Sequence, residues 1–358
     1  MPRIGIDVRM AHHTGIGRYI RGFVSELGET SWSRSLIGKP DEQKVFPREK
    51  SFIPFGAPIY SLREQILLPF AARTCDALHV PHYTAPLMWS KKLIVTIHDL
   101  IHLEFSKDLN PVAVRYAQFF LASAAKRSDA IITVSEHTKK DLIEKLNVKA
   151  EKITVIYHGV DPIFLKPESN SESAEKHPYF LCVGLIKSHK NLGVALKAFI
   201  QVKKRLSMPD LRLRIVGRPD RKQKIVNEWL KLAATDSGIE FMNFVPDEEL
   251  RKLYANSAAL IFPSRYEGFG FPLLEAMASR TPVIASHSTS IPEVLGNAGL
   301  YFDPDSQSEL ERLMEQILTK NNLRQELIKK GLSRLKLFSW QESAKKHVEI
   351  YGKVINVH

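Results

Sequence analysis

Short apolar runs alternate with helical patterns of apolar positions along the whole chain. In the first half, the predicted buried strands are residues 4–8, 93–97, 130–134 and 153–156, and the predicted helices are 17–27, 112–125 and 138–146. In the second half, the predicted strands are 179–183, 211–216, 239–241, 258–262 and 282–285, and the predicted helices include 192–206, 223–234 and 247–255. Such alternation predicts parallel sheets covered by helices on both faces.

A polar segment divides the chain into two halves. Residues 168–177 carry several serines and almost no apolar side chain, which is typical of a linker. Two α/β units in tandem would leave a cleft between them, and ligands of open α/β sheets bind outside the carboxyl ends of strands. We therefore expect functional residues in loops that follow strands. The chain ends in a helical pattern from about 340 to 354, with Ser339 and Glu342 spaced as a capping box.

The composition is that of a soluble globular protein, with 44% hydrophobic and 25% charged residues. No apolar run approaches the ~20 residues of a membrane span, and the start of the chain lacks the apolar region of a signal peptide, so we expect a cytoplasmic protein. Cys75 and Cys182 suggest neither a disulfide framework nor a metal cage, and we expect buried free thiols. No spacing of His, Cys and Glu predicts a metal site.

The chain has 51 Lys and Arg against 39 Asp and Glu, a net charge of +12. The first half, to residue 176, contributes +4 and the second half +8, with the densest basic stretch at residues 203–231. An excess of this kind attracts nucleic acid, phosphorylated ligands or an anionic membrane surface, and does not choose among them.

The strongest candidate site is the segment 262–278. A predicted strand ends at Pro263, Gly268 and Gly270 allow the backbone to approach a ligand, and a helix start near Pro272 offers free N–H groups to an anion. Glu267 in the loop and Glu275 in the helix would repel a phosphate, so they are better suited to sugar hydroxyls. Alternatively, Glu275 only complements the helix dipole and Glu267 is an ordinary loop acid.

A second candidate is the segment 183–192, where a strand ends at Gly184 and a helix begins near Asn191. Lys187, His189 and Lys190 lie at this helix start. Cations are unfavourable there unless an anion is shared with the helix, so the pattern predicts a bound anion; a solvated surface lysine is the alternative.

Gly15 and Gly17 follow the first strand and resemble a phosphate-side turn, although a simple tight turn explains them equally well. His98 follows the strand 93–97 directly. A histidine in that place can hydrogen-bond a hydroxyl or neutralise developing charge, whereas most single histidines are structural.

Together these segments resemble the retaining, nucleotide-sugar-dependent glycosyltransferases of family 4 (glycosyl transferases group 1), and within them the bacterial mannosyltransferases of O-antigen and capsule assembly. The motifs that carry the resemblance are Ile4-Gly-Ile-Asp, Thr14-Gly-Ile-Gly-Arg-Tyr, Val80-Pro-His-Tyr, Thr96-Ile-His-Asp-Leu, Thr133-Val-Ser-Glu, His158-Gly-Val-Asp, Lys190-Asn-Leu, Phe244-Val, and Glu267 followed after seven residues by Glu275.

The resemblance implies the GT-B fold, in which two Rossmann-like domains face each other across a cleft and the C-terminal helix crosses back to the first domain. It places an acceptor-side domain at 1–165, joined by the helix at about 340–358, and a domain that binds the sugar nucleotide at 177–338.

The resemblance also implies residue roles. His98 and Glu267 would contact the transferred sugar as catalytic residues, and Lys190 would bind the diphosphate. Around the sugar nucleotide lie the remaining binding residues that the resemblance assigns: Gly15 and Gly17 beside the diphosphate and acceptor, Phe244 and Val245 at the base, Gly268, Phe269 and Gly270 as backbone donors, and Glu275 at the ribose.

The sequence departs from the family around the diphosphate. Leu185 and His189 stand where many members carry arginine, so that Lys187, Arg218 or His189 would have to supplement Lys190. If His189 does so, the affinity for the sugar nucleotide should change with pH.

The function implied is transfer of a hexose, mannose from GDP-mannose, with retained configuration to a saccharide or a lipid-linked acceptor of surface polysaccharide synthesis. Such enzymes need no cofactor and no metal, and the protein would be cytoplasmic, with the inner membrane surface as a further contact. A UDP-sugar is the alternative substrate. A basic nucleic-acid-binding protein is the alternative class, but the stretch 203–231 has only Trp229 for stacking, so nucleic acid is not expected as a partner. An epimerase or phosphorylase of the same fold is a further alternative.

Overall fold

The structure is a computed structural model that describes residues 1–106, 110–166 and 177–356. The chain folds as two compact units, Met1–Gly159 with Phe338–His358, and Val160–Leu337. The first unit therefore ends six residues before the predicted boundary at 165, and the C-terminal helix belongs to it. The expected linker 168–177 lies outside the described residues except for His177.

The first unit is built on a seven-stranded parallel sheet of order β3-β2-β1-β4-β5-β6-β7. Its strands are β1 (Arg3–Asp7), β2 (Ser33–Gly38), β3 (Phe52–Pro54), β4 (Ala77–Val80), β5 (Lys92–Ile97), β6 (Ala130–Thr133) and β7 (Ile153–Val155). Its helices are α1 (Gly15–Ser25), α2 (Pro40–Val45), α3 (Leu62–Ala71), α4 (Ile101–Glu104), α5 (Pro111–Arg127), α6 (Glu136–Leu146) and, from the end of the chain, α15 (Trp340–Val354).

The second unit repeats this plan with a six-stranded parallel sheet of order β10-β9-β8-β11-β12-β13. Its strands are β8 (Tyr179–Val183), β9 (Arg212–Val216), β10 (Ile239–Met242), β11 (Ala259–Phe262), β12 (Val283–Ser286) and β13 (Leu300–Phe302). Its helices are α7 (Pro162–Leu165), α8 (Leu192–Arg205), α9 (Lys224–Ala233), α10 (Asp247–Asn256), α11 (Phe271–Ala278), α12 (Ile291–Leu295), α13 (Gln307–Thr319) and α14 (Asn321–Arg334).

The prediction of strands and helices from apolar patterns is confirmed wherever it was made. Every predicted strand agrees with the structure to within one residue at each end, and every predicted helix to within two. The pattern missed β3 and β13 at sheet edges, β2 next to an edge, and the four-residue β4 in the centre of the first sheet. β2 has only Leu36 and Ile37 as apolar side chains, and β3 is three residues long and ends in Pro54.

Both cores are formed by the strands and the apolar faces of the helices that cover them. Cys75 and Cys182 are both buried and free, as expected, one in each unit. Burial in apolar surroundings raises the pKa of the Cys182 thiol to about 12.

The C-terminal helix α15 packs tightly against the first unit. Ser339 caps it by accepting a hydrogen bond from the Glu342 amide. Trp340 lies against two glycines, because a Cβ at Gly22 would lie 2.3 Å from its ring and one at Gly159 would lie 2.4 Å from its backbone nitrogen. These glycines are therefore required for close packing and not for backbone freedom.

A buried hydrogen-bonded chain joins α15 to the sheet. His347 contacts the Ser343 carbonyl at 2.7 Å and the Tyr19 hydroxyl at 2.7 Å, and that hydroxyl lies 2.8 Å from Thr96 Oγ1. Thr96 is in turn 2.8 Å from His79, whose other ring nitrogen lies 2.6 Å from the Tyr351 hydroxyl. All of these side chains are fully buried, so each polar atom depends on its partner within the chain.

This network makes the first unit sensitive to acid. Burial lowers the pKa of His347 from 6.5 to about 4, so the unfolded chain takes up a proton between these values while the folded chain does not. Stability is then complete above about pH 6.5 and falls as the pH drops toward 4.

We expect His347→Gln to lose less stability on acidification than the wild type. Between neutral pH and about pH 5 the difference should be about 2 kcal/mol, because a shift of one pKa unit corresponds to about 1.4 kcal/mol. Thermal unfolding at both pH values measures this, with the exposed His12→Gln as the matched control. Equal acid sensitivity of wild type and His347→Gln would show that His347 does not carry the effect.

Candidate functional site

The strand order of the second sheet brings two of the predicted segments together. β8 and β11 are hydrogen-bonded neighbours at the point where the order of connection reverses, and the loops that follow them lie at the same edge. The loop after β8 also touches the one after β9, since a Cβ at Gly217, whose φ is +153°, would overlap the Gly184 carbonyl. A pocket lies between the loops after β8 and β11, with Gly184, Lys190 and Phe262 among its lining residues.

Lys190, which lines this pocket, forms an ion pair with Glu267. Lys190 Nζ donates to Glu267 Oε1 at 2.6 Å, and 24% of the lysine side chain and 12% of the glutamate side chain are exposed. The ammonium also lies 5.9 Å from the centre of the Phe262 ring. The loop after β8 thus supplies a cation and the loop after β11 a carboxylate, each with an open side toward solvent.

The segment after β12 forms hydrogen bonds with the backbone of the loop that carries Glu267. The Glu267 amide donates to Thr289 Oγ1 at 3.0 Å, and Ser290 Oγ donates to the Glu267 carbonyl at 2.9 Å. The Arg265 amide donates to the His189 carbonyl at 2.8 Å, which ties the two functional loops to each other through the backbone. The carboxylate is therefore positioned by fixed backbone on both sides.

The helix after Glu267 begins one residue earlier than expected, at Phe271, so that Pro272 occupies its second position. Gly270 precedes it with a φ of +108°, a conformation that favours glycine. Gly268, Phe269 and Gly270, which the sequence predicts as backbone donors, are all buried.

Glu275 lies deeper than Glu267. It is 5% exposed and accepts a hydrogen bond at 2.9 Å from the Tyr254 hydroxyl of α10. In the segment that precedes α10, Phe244 is 72% exposed whereas Val245 is 7% exposed and packs into the protein. Of the two residues assigned to a base, only Phe244 presents its side chain to solvent.

The structure does not support His189 as a cation. Its side chain is buried, and burial together with the neighbouring Lys190 and Lys187 lowers its pKa to about 3. The ring is then neutral near pH 7. Lys187 is half-buried and Arg218 is exposed beside Ile186, whose amide donates to the Arg218 carbonyl at 3.0 Å. These two side chains, and not His189, can add positive charge near Lys190.

Gly15 and Gly17 lie at the start of α1 in the first unit. A Cβ at Gly17 would lie 2.6 Å from the Ala11 carbonyl, so close packing alone requires a glycine there. A Cβ at Gly15 would meet nothing within 4 Å. Gly17 therefore has a structural explanation, and Gly15 faces open space.

His98 lies at the carboxyl end of β5 in the same unit. Its Nε2 lies 3.0 Å from the Pro81 carbonyl, and because a carbonyl oxygen only accepts, Nε2 carries the proton. Burial lowers the pKa of His98 to about 4, so the ring is neutral near pH 7 and Nδ1 is an acceptor. The centre of the Tyr19 ring lies 5.0 Å from the centre of the His98 ring, and the two rings are nearly perpendicular. Nδ1 of His98 can therefore accept a hydrogen bond from a hydroxyl group. Because the ring is neutral, it cannot neutralise negative charge that develops during a reaction.

The sequence did not reveal the residues that support Glu267 and Glu275. Thr289, Ser290 and Tyr254 are ordinary polar residues without a motif, and their contacts depend on strand order. The one available signal was that residues 287–290 follow a predicted strand.

In the described part of the chain, no group of three or more His, Cys, Asp or Glu side chains is arranged to hold a metal ion. Nor is any helix in the described ranges long and apolar enough to span a bilayer.

Two protein families match this chain. Residues 166–354, more than half of it, match "Glycosyl transferases group 1", and residues 14–164 match "Glycosyltransferase Family 4". The first range holds the second unit from residue 166 onward together with all of α15, and the second range holds most of the first unit and the first five residues of the second.

Characterised relatives cover most of the chain. It is 28% identical over 282 residues to the O-antigen chain mannosyltransferase B of Escherichia coli, covering 76% of this chain and 73% of that protein. It is 32% identical over 258 residues to the O-antigen chain mannosyltransferase RfbU of Salmonella typhimurium, covering 72% and 69%. The fold matches that of Anabaena Alr3699/HepE with a TM-score of 0.79 over 99% of this chain and 100% of that one, at 16% identity. The expected fold class of two Rossmann-like domains is confirmed.

We expect the imidazole signals of His189 to stay constant in a nuclear magnetic resonance titration from about pH 8 to about pH 5. The reason is its burial beside two lysines, which holds its pKa near 3. Comparison of spectra with those of His189→Gln identifies the signals. A midpoint near the ordinary value of 6.5 would show that the ring is charged at mildly acidic pH, and would restore His189 as a cation of the site.

Proposed function

The chain belongs to the glycosyl transferases group 1 family and is a glycosyltransferase, and we propose that it transfers mannose from GDP-mannose to a saccharide or lipid-linked acceptor in the synthesis of a surface polysaccharide. The relatives named as O-antigen chain mannosyltransferases support the sugar and the pathway. The alternative substrate is a UDP-sugar, since the Anabaena structure of the same fold contains UDP-glucose.

The observation that carries this proposal is the ion pair of Lys190 and Glu267. A diphosphate bound at the pocket would compete with the carboxylate for the Lys190 ammonium, and the carboxylate would then accept hydrogen bonds from hydroxyls of the sugar. The lysine also removes the main objection to a carboxylate beside a phosphate, because it partly neutralises the negative charge of Glu267 before the ligand arrives.

The rest of the sugar nucleotide would lie along the edge of the second sheet. Exposed Phe244 would contact the base, with Val245 contributing backbone only, and Glu275 would meet the ribose after a small adjustment at its buried position. The amides of residues 268–270 would face the sugar and diphosphate. Lys187 and Arg218 would add the positive charge that arginines provide in other members of the family.

His98 of the first unit would accept a hydrogen bond from a hydroxyl of the transferred sugar through Nδ1. Because nothing lies close to Gly15, the backbone at Gly15 could approach the diphosphate or the acceptor. Gly17 would contribute only by letting the start of α1 pack closely against Ala11. In the mechanism we propose, the acceptor attacks from the face that the diphosphate leaves. The departing diphosphate takes the acceptor proton, the configuration is retained, and neither a metal nor an enzyme nucleophile takes part.

Several cations of the basic stretch 203–231 form ion pairs within the second unit. Lys203 pairs with Asp236 at 2.6 Å, and Arg205 contacts Glu311 and Glu315 at 2.5 Å. Arg214 pairs with Glu240 at 3.0 Å. These contacts leave fewer free cations for a nucleic acid, so the proposal includes no nucleic-acid partner. In it, the protein works in the cytoplasm or at the inner face of a membrane that holds the acceptor.

We expect Glu267→Ala and Lys190→Ala to lower transfer at least about 100-fold, since each removes a charged contact aimed at the reacting groups. Radiolabelled sugar transfer with purified protein measures this, and circular dichroism checks the fold. Lys224→Ala and Glu228→Ala, exposed on α9, are matched controls and should keep wild-type rates. Near-normal turnover in either site variant would contradict the assignment.

We expect GDP-mannose and GDP to raise the melting temperature more than UDP- and ADP-sugars. Ligand bound only to the folded state stabilises it by about 2.7 kcal/mol at a concentration of 100 times its dissociation constant. Thermal shift with each nucleotide measures the preference, and Lys190→Ala should lose the shift. A larger shift with UDP-glucose would replace GDP-mannose by the alternative substrate.

A further inference from the structure

Helix α3 has its polar and apolar faces reversed for a helix on the surface of a soluble protein. Its buried face carries Glu64 and Gln65, which are 0% and 5% exposed. Its outward face carries Leu62, Ile66 and Phe70, which are 81%, 60% and 65% exposed, and Leu67 beside them is 47% exposed. Surface helices normally place such side chains toward the core.

Specific contacts hold α3 in this orientation. Glu64 pairs with buried Arg9 at 3.1 Å and accepts the Tyr60 amide at 3.1 Å, while Gln65 Oε1 accepts the Leu87 amide at 2.9 Å. Leu68 fills the core beneath the helix with no exposed surface. The inward contacts of Glu64, Gln65 and Leu68 therefore fix the orientation of α3 and leave its apolar face toward solvent. The exposed apolar side chains contribute little to the packing of the unit.

The loop after β4 extends the same apolar surface. The hydrogen bond from the Leu87 amide to Gln65 fixes this loop against α3, and Leu87 and Met88 are 38% and 69% exposed. Large apolar side chains that are exposed together, rather than singly, indicate an interaction surface.

The exposed charges in the segment that forms this surface are mostly positive. Arg63 and Arg73 are exposed on and just after α3, and Arg73 lies over the Phe70 ring at 4.4 Å. Lys91 is anchored beside them, with its ammonium 2.7 Å from the Arg73 and Cys75 carbonyls. Between residues 56 and 92 the only acids are Glu64, which is buried, and Asp76, which accepts the Arg3 amide at 2.8 Å.

We propose that this apolar-basic patch, formed by Leu62, Ile66, Leu67, Phe70, Leu87 and Met88 with Arg63, Arg73 and Lys91, docks on the surface of an anionic lipid bilayer. Apolar side chains that enter the interfacial region and cations of a single sign beside them are the features that bind a helix to anionic lipid. Arginine and lysine keep their charged ends at headgroup level while their stems lie along apolar surface. Asp76 is the one exposed acid between residues 56 and 92, where Arg63, Arg73 and Lys91 are exposed cations, and this imbalance favours an anionic surface over a protein partner of mixed charge.

This inference deepens the proposed function, because it assigns the surface on which a lipid-linked acceptor would be reached. It rests on that function only for the choice of such an acceptor. Vesicle binding is measured without sugar nucleotide or acceptor, so that its failure would leave the transfer reaction untouched, and the failure of transfer would leave the docking surface untouched.

The test is co-sedimentation of the full chain with vesicles of phosphatidylethanolamine and phosphatidylglycerol, compared with vesicles of phosphatidylcholine alone. We expect binding to the anionic vesicles only. The double variant Ile66→Ser with Phe70→Ser should weaken it at least about tenfold, because apolar insertion contributes strongly to interfacial binding. Arg63→Glu with Arg73→Glu should weaken it at least about 25-fold, since each cation near an anionic surface contributes about fivefold.

Matched control variants separate the patch from bulk charge and general exposure. Ile225→Ser with Leu337→Ser removes exposed apolar side chains of the second unit, and Lys222→Glu with Lys224→Glu reverses two exposed cations there. Both should bind vesicles as the wild type does. Melting temperatures verify that the patch variants are folded.

Three results would overturn the proposal. They are equal loss of binding in patch and control variants, equal binding to neutral and anionic vesicles, and a dimer in light scattering that the Ile66→Ser with Phe70→Ser variant dissociates. The last would show that the patch contacts a second copy of the chain.

Discussion

Every strand in both sheets is parallel to its neighbours, and this constraint determines where the chemistry of the protein lies. Parallel strands need crossover connections, which place helices on both faces and leave the carboxyl ends of the strands at one edge. Where the order of connection reverses, between β8 and β11, the two loops separate to opposite faces and open a crevice. Lys190 and Glu267 are 77 residues apart in sequence and in hydrogen-bonding contact because their loops follow these two strands.

The Lys190–Glu267 pair has properties that suit a binding site better than a structural ion pair. Its lysine and glutamate side chains keep 24% and 12% of their surface exposed, so neither charge loses all access to water when the pair opens. The pair can therefore separate at a lower cost than a fully buried pair when an anion competes for the lysine. By contrast, the pair of Arg9 and Glu64 is fully buried, and breaking it would leave an unpaired charge inside the first unit. Burial, more than distance, distinguishes the two.

Apolar periodicity predicted most of the central strands and many of the helices that cover them, because those strands are buried on both faces. It failed for β2 and β3, where edge position and polar residues weaken the pattern, and for α3, whose exposed face is the apolar one. It also missed β4, which is central but only four residues long and contains His79. The loops of Lys190 and Glu267 were predicted from glycine, charge and strand ends. The contacts of Thr289 and Ser290 with Glu267, and of Tyr254 with Glu275, could not be predicted, since each joins segments that only the folded sheet brings together. The charge of His189 was also beyond the sequence, because its pKa depends on burial that the sequence does not specify.

The net charge of +12 changes meaning once its location is known. By count, the second half holds most of the excess, which would direct an anionic surface toward that half. Several cations of that half pair with Asp236, Glu240, Glu311 and Glu315 in the structure, but these acids are already counted in its net charge of +8, so the excess lies on other cations. The smaller excess of the first half includes Arg63, Arg73 and Lys91, which belong to the same segment of the chain as the exposed apolar side chains of α3 and of the loop after β4. Attraction to a membrane depends on uncompensated charge next to surface that can enter the interface, and by that criterion the first unit is the better suited of the two.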